Sequence, residues 1–244
     1  MTQHFRAVVI GGGVMGCATL HYLAKMGITN TLLLERDTLA SGSTGRSMTI
    51  LRMHYSNAIT TRMAKESRDV IADFEAETGH PGGFVNTGYL FLATDDGMDV
   101  LRDNHEAQRS CGAEVALLTP GQLADRFPYL HVDDLAGASL GLRNEGTLDA
   151  YSLMRGFQGR ARHNGVEYAT DRVVNLALND AGNRVAGVEL ASGKMVACGS
   201  VVNCAGPRAR WIAEMAGLEL PVEPRIRSVF SFDCRESLEG SLLP

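Results

Sequence analysis

The 244-residue sequence predicts an α/β fold, and three observations lead to this prediction. A short apolar run at residues 5–10 ends directly in glycines, which is typical of a buried parallel strand and its turn. A helical pattern and a second apolar run at residues 31–34 follow, and that run ends in Glu35. A third apolar run, residues 200–203, ends in the small residues Ala205 and Gly206. The order of these elements indicates a Rossmann-like unit.

Composition excludes several classes of protein. The formal charge of −5 comes with no basic stripe, so no nucleic acid partner is expected. The N-terminus has no leader pattern and no apolar stretch long enough for a membrane span, so the sequence predicts a cytoplasmic protein. Five scattered cysteines without metal-ligand spacing predict reduced thiols and no metal site. The strong preference for Arg over Lys is interpreted as a bacterial coding bias.

The glycine motif predicts a dinucleotide site. Gly11, Gly13 and Gly16 satisfy the pattern GxGxxG. These glycines give a tight turn, a close backbone approach to a pyrophosphate, and close packing of helix on strand. The following helix, at about residues 14–26, points its N-terminal amides at the phosphates.

Glu35 stands nineteen residues after Gly16, at the end of the second strand. A carboxylate at this position accepts hydrogen bonds from both ribose hydroxyls. Its charge disfavours a 2′-phosphate, so NADP is the least favoured dinucleotide, although the neighbouring Arg36 weakens that inference.

Beyond this unit the βα repeats of a nicotinamide dehydrogenase stop. A polar loop at residues 41–57 precedes a helix that we expect to cover the core with Ile59, Met63, Val70, Ile71 and Phe74.

The later segments predict a separate, mixed set of elements. Residues 82–94 predict a strand, and residues 119–127 predict a helix with a capping box at Thr119 and Gln122. From residue 165 the strand runs and turns predict a β-meander. A small pair after a strand, such as Ala205 and Gly206, is consistent with a simple turn as well as with a nearby cofactor.

The ordered set of motifs resembles the FAD-dependent amino-acid and amine oxidoreductases of the D-amino-acid oxidase, glycine oxidase and sarcosine oxidase type. Within them it is most similar to bacterial proteins like the sarcosine oxidase β-subunit. The resemblance rests on the glycine motif with Glu35, the loop GSTGRS at residues 42–47 with Arg52 and Tyr55, the strand GYLFLAT at residues 88–94, Val173, and the segments VVNCAGPRARW at 201–211 and LPVEPRIR at 220–227.

The resemblance implies a discontinuous Rossmann-like FAD-binding domain and a mixed-sheet α+β substrate domain. In the architecture that the resemblance implies, residues 1–80 and 147–220 form the FAD-binding domain. Residues 81–146 and 221–244 belong to the substrate domain, which would be C-terminally incomplete because members of the family continue further. We expect a strand at about residues 227–233.

The resemblance also implies roles for residues around FAD. The expected pyrophosphate and ribityl neighbours are Gly11, Gly13, Val14, Met15, Gly16, Ser43, Thr44, Arg46 and Ser47. Glu35 and Arg36 would meet the adenosine ribose, Val173 the adenine, and Ala205 and Gly206 the strand end beside the cofactor.

Arg52 and Tyr55 match positions near the flavin ring and are the candidate catalytic residues. Arg52 would hold a substrate carboxylate or stabilise negative charge on the reduced flavin. The alternative is a surface arginine paired with an acid. His54 is interpreted as structural. Arg208 replaces the aromatic residue more common at its position, and Trp211 follows three residues later.

The implied reaction oxidises the C–N bond of a small amino acid or a secondary or tertiary amine. A hydride passes to flavin N5, and water hydrolyses the imine. Oxygen or an electron-transfer protein would accept the electrons. The sequence leaves open whether the chain has a hetero-oligomeric partner. The alternatives are a non-catalytic FAD-binding subunit, an assembly factor or an inactive fragment, and an NAD-dependent dehydrogenase.

Overall fold

A computed structural model describes residues 4–143, 145–230 and 233. The strands are β1 (His4–Phe5), β2 (Ala7–Ile10), β3 (Thr31–Glu35), β4 (Ile50–Leu51), β5 (Tyr89–Ala93), β6 (Val115–Leu118), β7 (Gly137–Gly141), β8 (Gly146–Thr147), β9 (Glu167–Thr170), β10 (Val173–Leu178), β11 (Val185–Leu190), β12 (Met195–Cys198) and β13 (Val201–Asn203). The helices are α1 (Val14–Lys25), α2 (Ala58–Ala72), α3 (Phe74–Thr78), α4 (Met98–Ser110), α5 (Pro120–Arg126), α6 (Ala150–His163) and α7 (Ala209–Glu214).

The described chain divides into two compact units. Residues 4–47, 75–82 and 150–229 form the first unit, and residues 48–74, 83–143 and 145–149 form most of the second. In contrast, the domain boundaries predicted from the sequence place residues 48–74 in the same domain as the glycine motif. The assignment of FAD-binding and substrate-binding roles to these ranges stays a prediction.

A parallel sheet in the order β13-β2-β3-β9 forms the centre of the first unit. A sheet of order β1-β12-β11-β10 packs on one face, and the core between them includes Val8, Ile10, Leu32 and Leu34. On the other face α1 packs against α6. Because both faces of the sheet are covered at its centre, β2 and β3 are apolar and buried, as the sequence indicates, whereas the edge strand β9 is polar and largely exposed.

The second unit contains an antiparallel sheet in the order β5-β7-β6 and a short β4–β8 pair. Helices α4 and α5 pack on the sheet, around a core that includes Leu123, Phe127 and Leu140. The predicted capping box at the start of α5 is confirmed, because the Thr119 hydroxyl accepts from the backbone of Gln122 and the Gln122 side chain accepts from the backbone of Thr119.

The predicted buried face of α2 is wrong at Ile59 and Met63 but is confirmed at Phe74, which follows α2 and is 1% exposed. Ile59 is 73% exposed and Met63 65% exposed, whereas Thr61 and Ala64 are buried. The reason is that α2 packs closely beside α4, and the small side chain of Ala64 joins a core with Met53, Ala113 and Val115. The large side chains of Ile59 and Met63 therefore lie on the solvent side of α2, whereas Val70 and Ile71 are half-buried.

Several strand boundaries also differ from prediction. The run at residues 5–10 divides at Arg6, because β1 joins one sheet and β2 the other. The strand predicted at residues 82–94 is regular only in β5, although Val85 forms an isolated bridge to Thr147. The meander comprises β10, β11 and β12, whereas β9 and β13 join the parallel sheet. Of the strand expected at residues 227–233, residues 227–230 have no regular structure and residues 231–232 lie outside the described residues.

No helix in the described part of the chain is both long and apolar enough to cross a membrane.

Cys17 on α1 should resist alkylation in the folded protein. Its side chain is fully buried, and burial raises the pKa of its thiol to about 12. The reactive thiolate is therefore scarce at pH 8, whereas Cys111 is partly exposed. We expect iodoacetamide to label Cys111 first, as followed by peptide mass spectrometry, and Cys17 only with global unfolding. Equal labelling rates for the two thiols would contradict this packing.

Candidate dinucleotide-binding site

Three backbone segments meet at the glycine loop. Gly11 has φ +114° and donates from its amide to the carbonyl of Leu34 at 2.9 Å. A Cβ on Gly11 would overlap the carbonyl of Cys204 after β13, and a Cβ on Gly16 would overlap the carbonyl of Gly11. Glycine at both positions therefore lets α1 and the return of β13 approach the end of β2.

The N-terminus of α1 opens towards residues 41–47. Gly13 is the N-cap residue, and a Cβ there would lie 2.9 Å from the Thr44 hydroxyl. That hydroxyl accepts from the Val14 amide at 3.0 Å. The loop is further tied by the Ala40 amide, which donates to the Gly12 carbonyl at 3.0 Å. The other amides of the first helical turn, together with the helix dipole, make this end of α1 suitable for an anionic group.

Glu35 lies at the end of β3 and faces the glycine loop. Its Oε2 accepts from the Gly12 amide at 2.6 Å, and its Oε1 accepts from the Asp37 amide at 3.0 Å. Each carboxylate oxygen retains a further acceptor site. The side chain therefore fixes the loop and still has the capacity to accept hydrogen bonds from ligand hydroxyls.

The end of β13 is held by Asn203. Its side-chain amide nitrogen donates to the Ala209 carbonyl at 2.7 Å, and its side-chain oxygen accepts from the Ala205 amide at 3.2 Å. The Cys204 amide donates to the Ile10 carbonyl at 2.8 Å. These bonds place Ala205 and Gly206 beside the glycine loop.

These elements enclose a cavity of about 730 Å³ within the first unit. This volume falls in the range of roughly 300–1,000 Å³ that is usual for small-molecule and cofactor sites. The predicted residues that line the cavity are Gly11, Gly13, Val14, Met15, Glu35, Arg36, Ser43, Thr44, Ser47, Val173, Ala205 and Gly206. Gly16 is buried beneath the loop and Arg46 is exposed outside the lining. The part of a ligand that each residue would contact stays a prediction.

The lining also contains residues that the sequence did not predict. Three of them, Gly12, Arg172 and Cys204, are adjacent in the chain to residues that were predicted. Their position beside predicted residues is the sequence signal that could have identified them. Trp211 on α7 lines the cavity as well, and the Arg208 guanidinium carbon lies 5.6 Å from its ring centroid. No sequence pattern predicts that α7 reaches the cavity.

Arg52 and Tyr55, the candidate catalytic residues, lie in the second unit. The Arg52 guanidinium carbon is 5.4 Å from the Tyr55 ring centroid, 5.1 Å from that of Tyr89 and 5.2 Å from that of Phe91. Arg52 Nη1 donates to the Tyr89 hydroxyl at 3.2 Å. Among the described residues no carboxylate forms an ion pair with Arg52, so the alternative of a surface arginine paired with an acid finds no partner there.

Within the described ranges, no group of three or more His, Cys, Asp or Glu side chains could hold a metal ion.

A parallel βαβ sheet, a glycine loop at a helix N-terminus and a carboxylate after the next strand define a dinucleotide-binding α/β protein. The model of the DAO family, described as FAD dependent oxidoreductase, matches residues 6–243. The chain belongs to this family, and its cofactor is FAD. The alternative of an NAD-dependent dehydrogenase is therefore set aside.

Relatives and solved structures agree with this assignment. The chain is 34% identical to "Sarcosine dehydrogenase, mitochondrial" of Homo sapiens, over 88% of this chain and 24% of the relative. It is 30% identical to "Sarcosine oxidase subunit beta" of Rhizobium meliloti (strain 1021), over 93% of this chain and 55% of the relative. The crystal structure of L-proline dehydrogenase from P.horikoshii superposes with a TM-score of 0.80 and 29% identity, covering 89% of this chain and 57% of that one. The chain spans about half the length of other curated relatives that it matches.

The cavity fits FAD on its own chemistry. The α1 N-terminus with its side-chain-free loop suits a pyrophosphate, and Glu35 suits a ribose. Apolar lining from Leu34, Val173 and Met215 suits an aromatic base. These are the residues that would hold the cofactor.

Replacing Gly16 with alanine should disturb both packing and binding. The new Cβ would press on the Gly11 carbonyl, and we expect the free energy of unfolding to fall by about 1–3 kcal/mol and FAD affinity to fall with it. Gly159→Ala is the matched control, because it lies in α6 with open space around it, and should raise that free energy by about 0.5–1 kcal/mol. Urea denaturation measures both, and equal stabilities of the two variants would refute the close contact.

Two replacements of Glu35 should distinguish its role in binding FAD from its role in stabilising the glycine loop. Glu35→Gln keeps one oxygen acceptor for the loop but loses the charge, so the Kd for FAD should rise by roughly tenfold or more, as measured by ultrafiltration. Glu35→Ala also leaves the amides of Gly12 and Asp37 without their acceptor and should lower thermal stability. Asp180→Asn in the exposed β10–β11 turn is the control. An unchanged Kd for Glu35→Gln would exclude Glu35 from the binding site.

Proposed function

We propose that this chain is the FAD-binding part of an oxidoreductase that oxidises the C–N bond of a small amino acid or amine of the sarcosine and glycine type. The observation that carries the proposal is the environment of Arg52. Its guanidinium is surrounded by three aromatic rings and has no carboxylate partner among the described residues.

Such an arginine suits a carboxylate ligand. The guanidinium has five N–H donors, and the hydrogen bond to Tyr89 uses only one of them. The three rings cover part of the guanidinium, and a charge-assisted hydrogen bond is stronger in surroundings of lower polarity than water. Arg52 therefore has the donors, the charge and the surroundings to bind and orient a substrate through its carboxylate.

FAD, when bound, supplies the acceptor for the hydride that leaves the substrate carbon. The residues of the chain would then have two tasks, which are to hold the cofactor in the cavity and to orient the substrate. A Ser/His/Asp nucleophile is not needed for this chemistry. The candidate site residues of the second unit, Arg52 and Tyr55, suit the orienting task.

The relatives support a small amino acid as the substrate class. Their printed names include a sarcosine dehydrogenase, a sarcosine oxidase subunit and an L-proline dehydrogenase. Sarcosine and proline are both secondary amines that carry a carboxylate, which is the group that Arg52 would bind. The name "subunit beta" supports a hetero-oligomeric partner as part of the proposal.

Anaerobic titration of the FAD-loaded protein tests the proposal. Sarcosine, glycine and L-proline are added in turn, and the visible absorbance of the flavin is followed. Bleaching by at least one of them is the expected result. A protein that binds FAD but is bleached by none of these amines would contradict the proposed activity and would favour a non-catalytic FAD-binding subunit.

Replacing Arg52 should raise the Michaelis constant for the carboxylate-bearing amine. Loss of hydrogen bonds to a charged group is worth roughly 1.5–3 kcal/mol. Arg52→Gln is therefore expected to raise KM by roughly 10- to 100-fold, with a smaller effect on kcat. Arg102→Gln is the control, since Arg102 is an exposed arginine paired with Asp99 at 3.0 Å. Steady-state kinetics with an unchanged KM for Arg52→Gln would remove Arg52 from the substrate site.

A further inference from the structure

A buried histidine–glutamate pair lies in the second unit, close to the residues around Arg52. His54 Nδ1 is 3.0 Å from Glu145 Oε2, and His54 Nε2 is 3.2 Å from the Ser139 hydroxyl. The side chains of His54 and Glu145 are only 2% and 1% exposed. Both ring nitrogens therefore lie within hydrogen-bond distance of an oxygen.

The interior makes specific room for Glu145. A Cβ on Gly141 of β7 would overlap the Glu145 carboxyl group, so the glycine admits this side chain. Glu145 Oε1 is buried and has no hydrogen-bond partner among the described residues. A carboxylate in such surroundings is costly unless a positive charge or a proton compensates it. His54 is in contact with Glu145 and has an imidazole that can supply the positive charge or the proton.

Two aromatic rings connect this pair to Arg52. The His54 ring centroid lies 5.8 Å from that of Tyr89 and 5.3 Å from that of Phe91. The Arg52 guanidinium carbon lies 5.1 Å and 5.2 Å from the same two centroids. Tyr89 and Phe91 are two residues apart in β5 and so lie on one face of the strand, where both rings are close to the Arg52 cation and to His54 of the buried pair.

We propose that His54 is a positioning residue that neutralises Glu145 and so keeps the Arg52 guanidinium free for a carboxylate ligand. The inference rests on the proposed function of Arg52. In this arrangement the charge of a protonated imidazole cancels that of the carboxylate with which it is in contact. Arg52 then carries the net charge of the cluster, and the carboxylate of Glu145 does not compete with an incoming carboxylate for the guanidinium.

Another histidine does not take over this role. His105 on α4 interacts electrostatically with His54, but burial lowers the pKa of its imidazole. It is therefore neutral near pH 7 and cannot compensate Glu145 when His54 is removed.

The test compares acetate with its neutral analogue acetamide. The FAD-loaded protein and its variants are titrated with each, and the NMR signal of the Arg52 Nε–Hε group gives the Kd. His54→Gln should weaken acetate binding about tenfold and leave acetamide unchanged, because an uncompensated carboxylate then competes for Arg52. Glu145→Gln should stay within about twofold of the wild type, because it removes that competing charge.

The double variant His54→Gln/Glu145→Gln decides between charge and packing. It should bind acetate within about threefold of the wild type, because no buried charge remains. Thermal unfolding of each variant shows its stability. If His54→Gln fails to fold and the double variant folds and binds acetate normally, the same conclusion holds.

Three outcomes would overturn the inference. One is unchanged acetate binding by a folded His54→Gln variant. Another is loss of acetate binding in the double variant, which would show that the pair acts through packing. A wild-type protein whose Arg52 signal does not respond to acetate would contradict the proposed function itself, and the inference with it.

Discussion

The close approach of three backbones at Gly11 is the constraint on which the first unit depends. A side chain at Gly11 would overlap the carbonyl of Cys204, and one at Gly16 would overlap the carbonyl of Gly11. The absence of both side chains lets α1 begin directly above the end of β2 and lets β13 return beside it. The direction of the α1 amides, and with it the anion-binding end of the cavity, follows from this contact.

Short hydrogen bonds then fix the walls of the cavity around that contact. Glu35 holds the Gly12 amide, Thr44 holds the first amide of α1, and Asn203 holds the strand end opposite. The site is therefore formed by the chain's own polar groups in an arrangement suited to a cofactor with a pyrophosphate and a ribose. This agrees with the chain's membership of the FAD-dependent oxidoreductase family.

Sequence predicts the parts of this arrangement that are local. The β2–α1–β3 unit and Glu35 are adjacent in the chain, and periodicity and glycine spacing are sufficient to find them. Prediction from sequence fails for features that depend on packing between residues far apart in the chain. Nothing local shows that Ile59 faces solvent, since α4 sets the buried face of α2. The rings around Arg52 come largely from β5, and buried Glu145 has the sequence signature of an ordinary surface acid.

The central claim is that FAD binds in the cavity at the glycine loop, and Trp211 reports on it directly. It is the single tryptophan of the sequence, and it lines this cavity. Titration of the cofactor-free protein with FAD should quench tryptophan emission saturably at one equivalent. Full emission from a protein that retains one FAD through ultrafiltration would place the cofactor elsewhere and contradict the account.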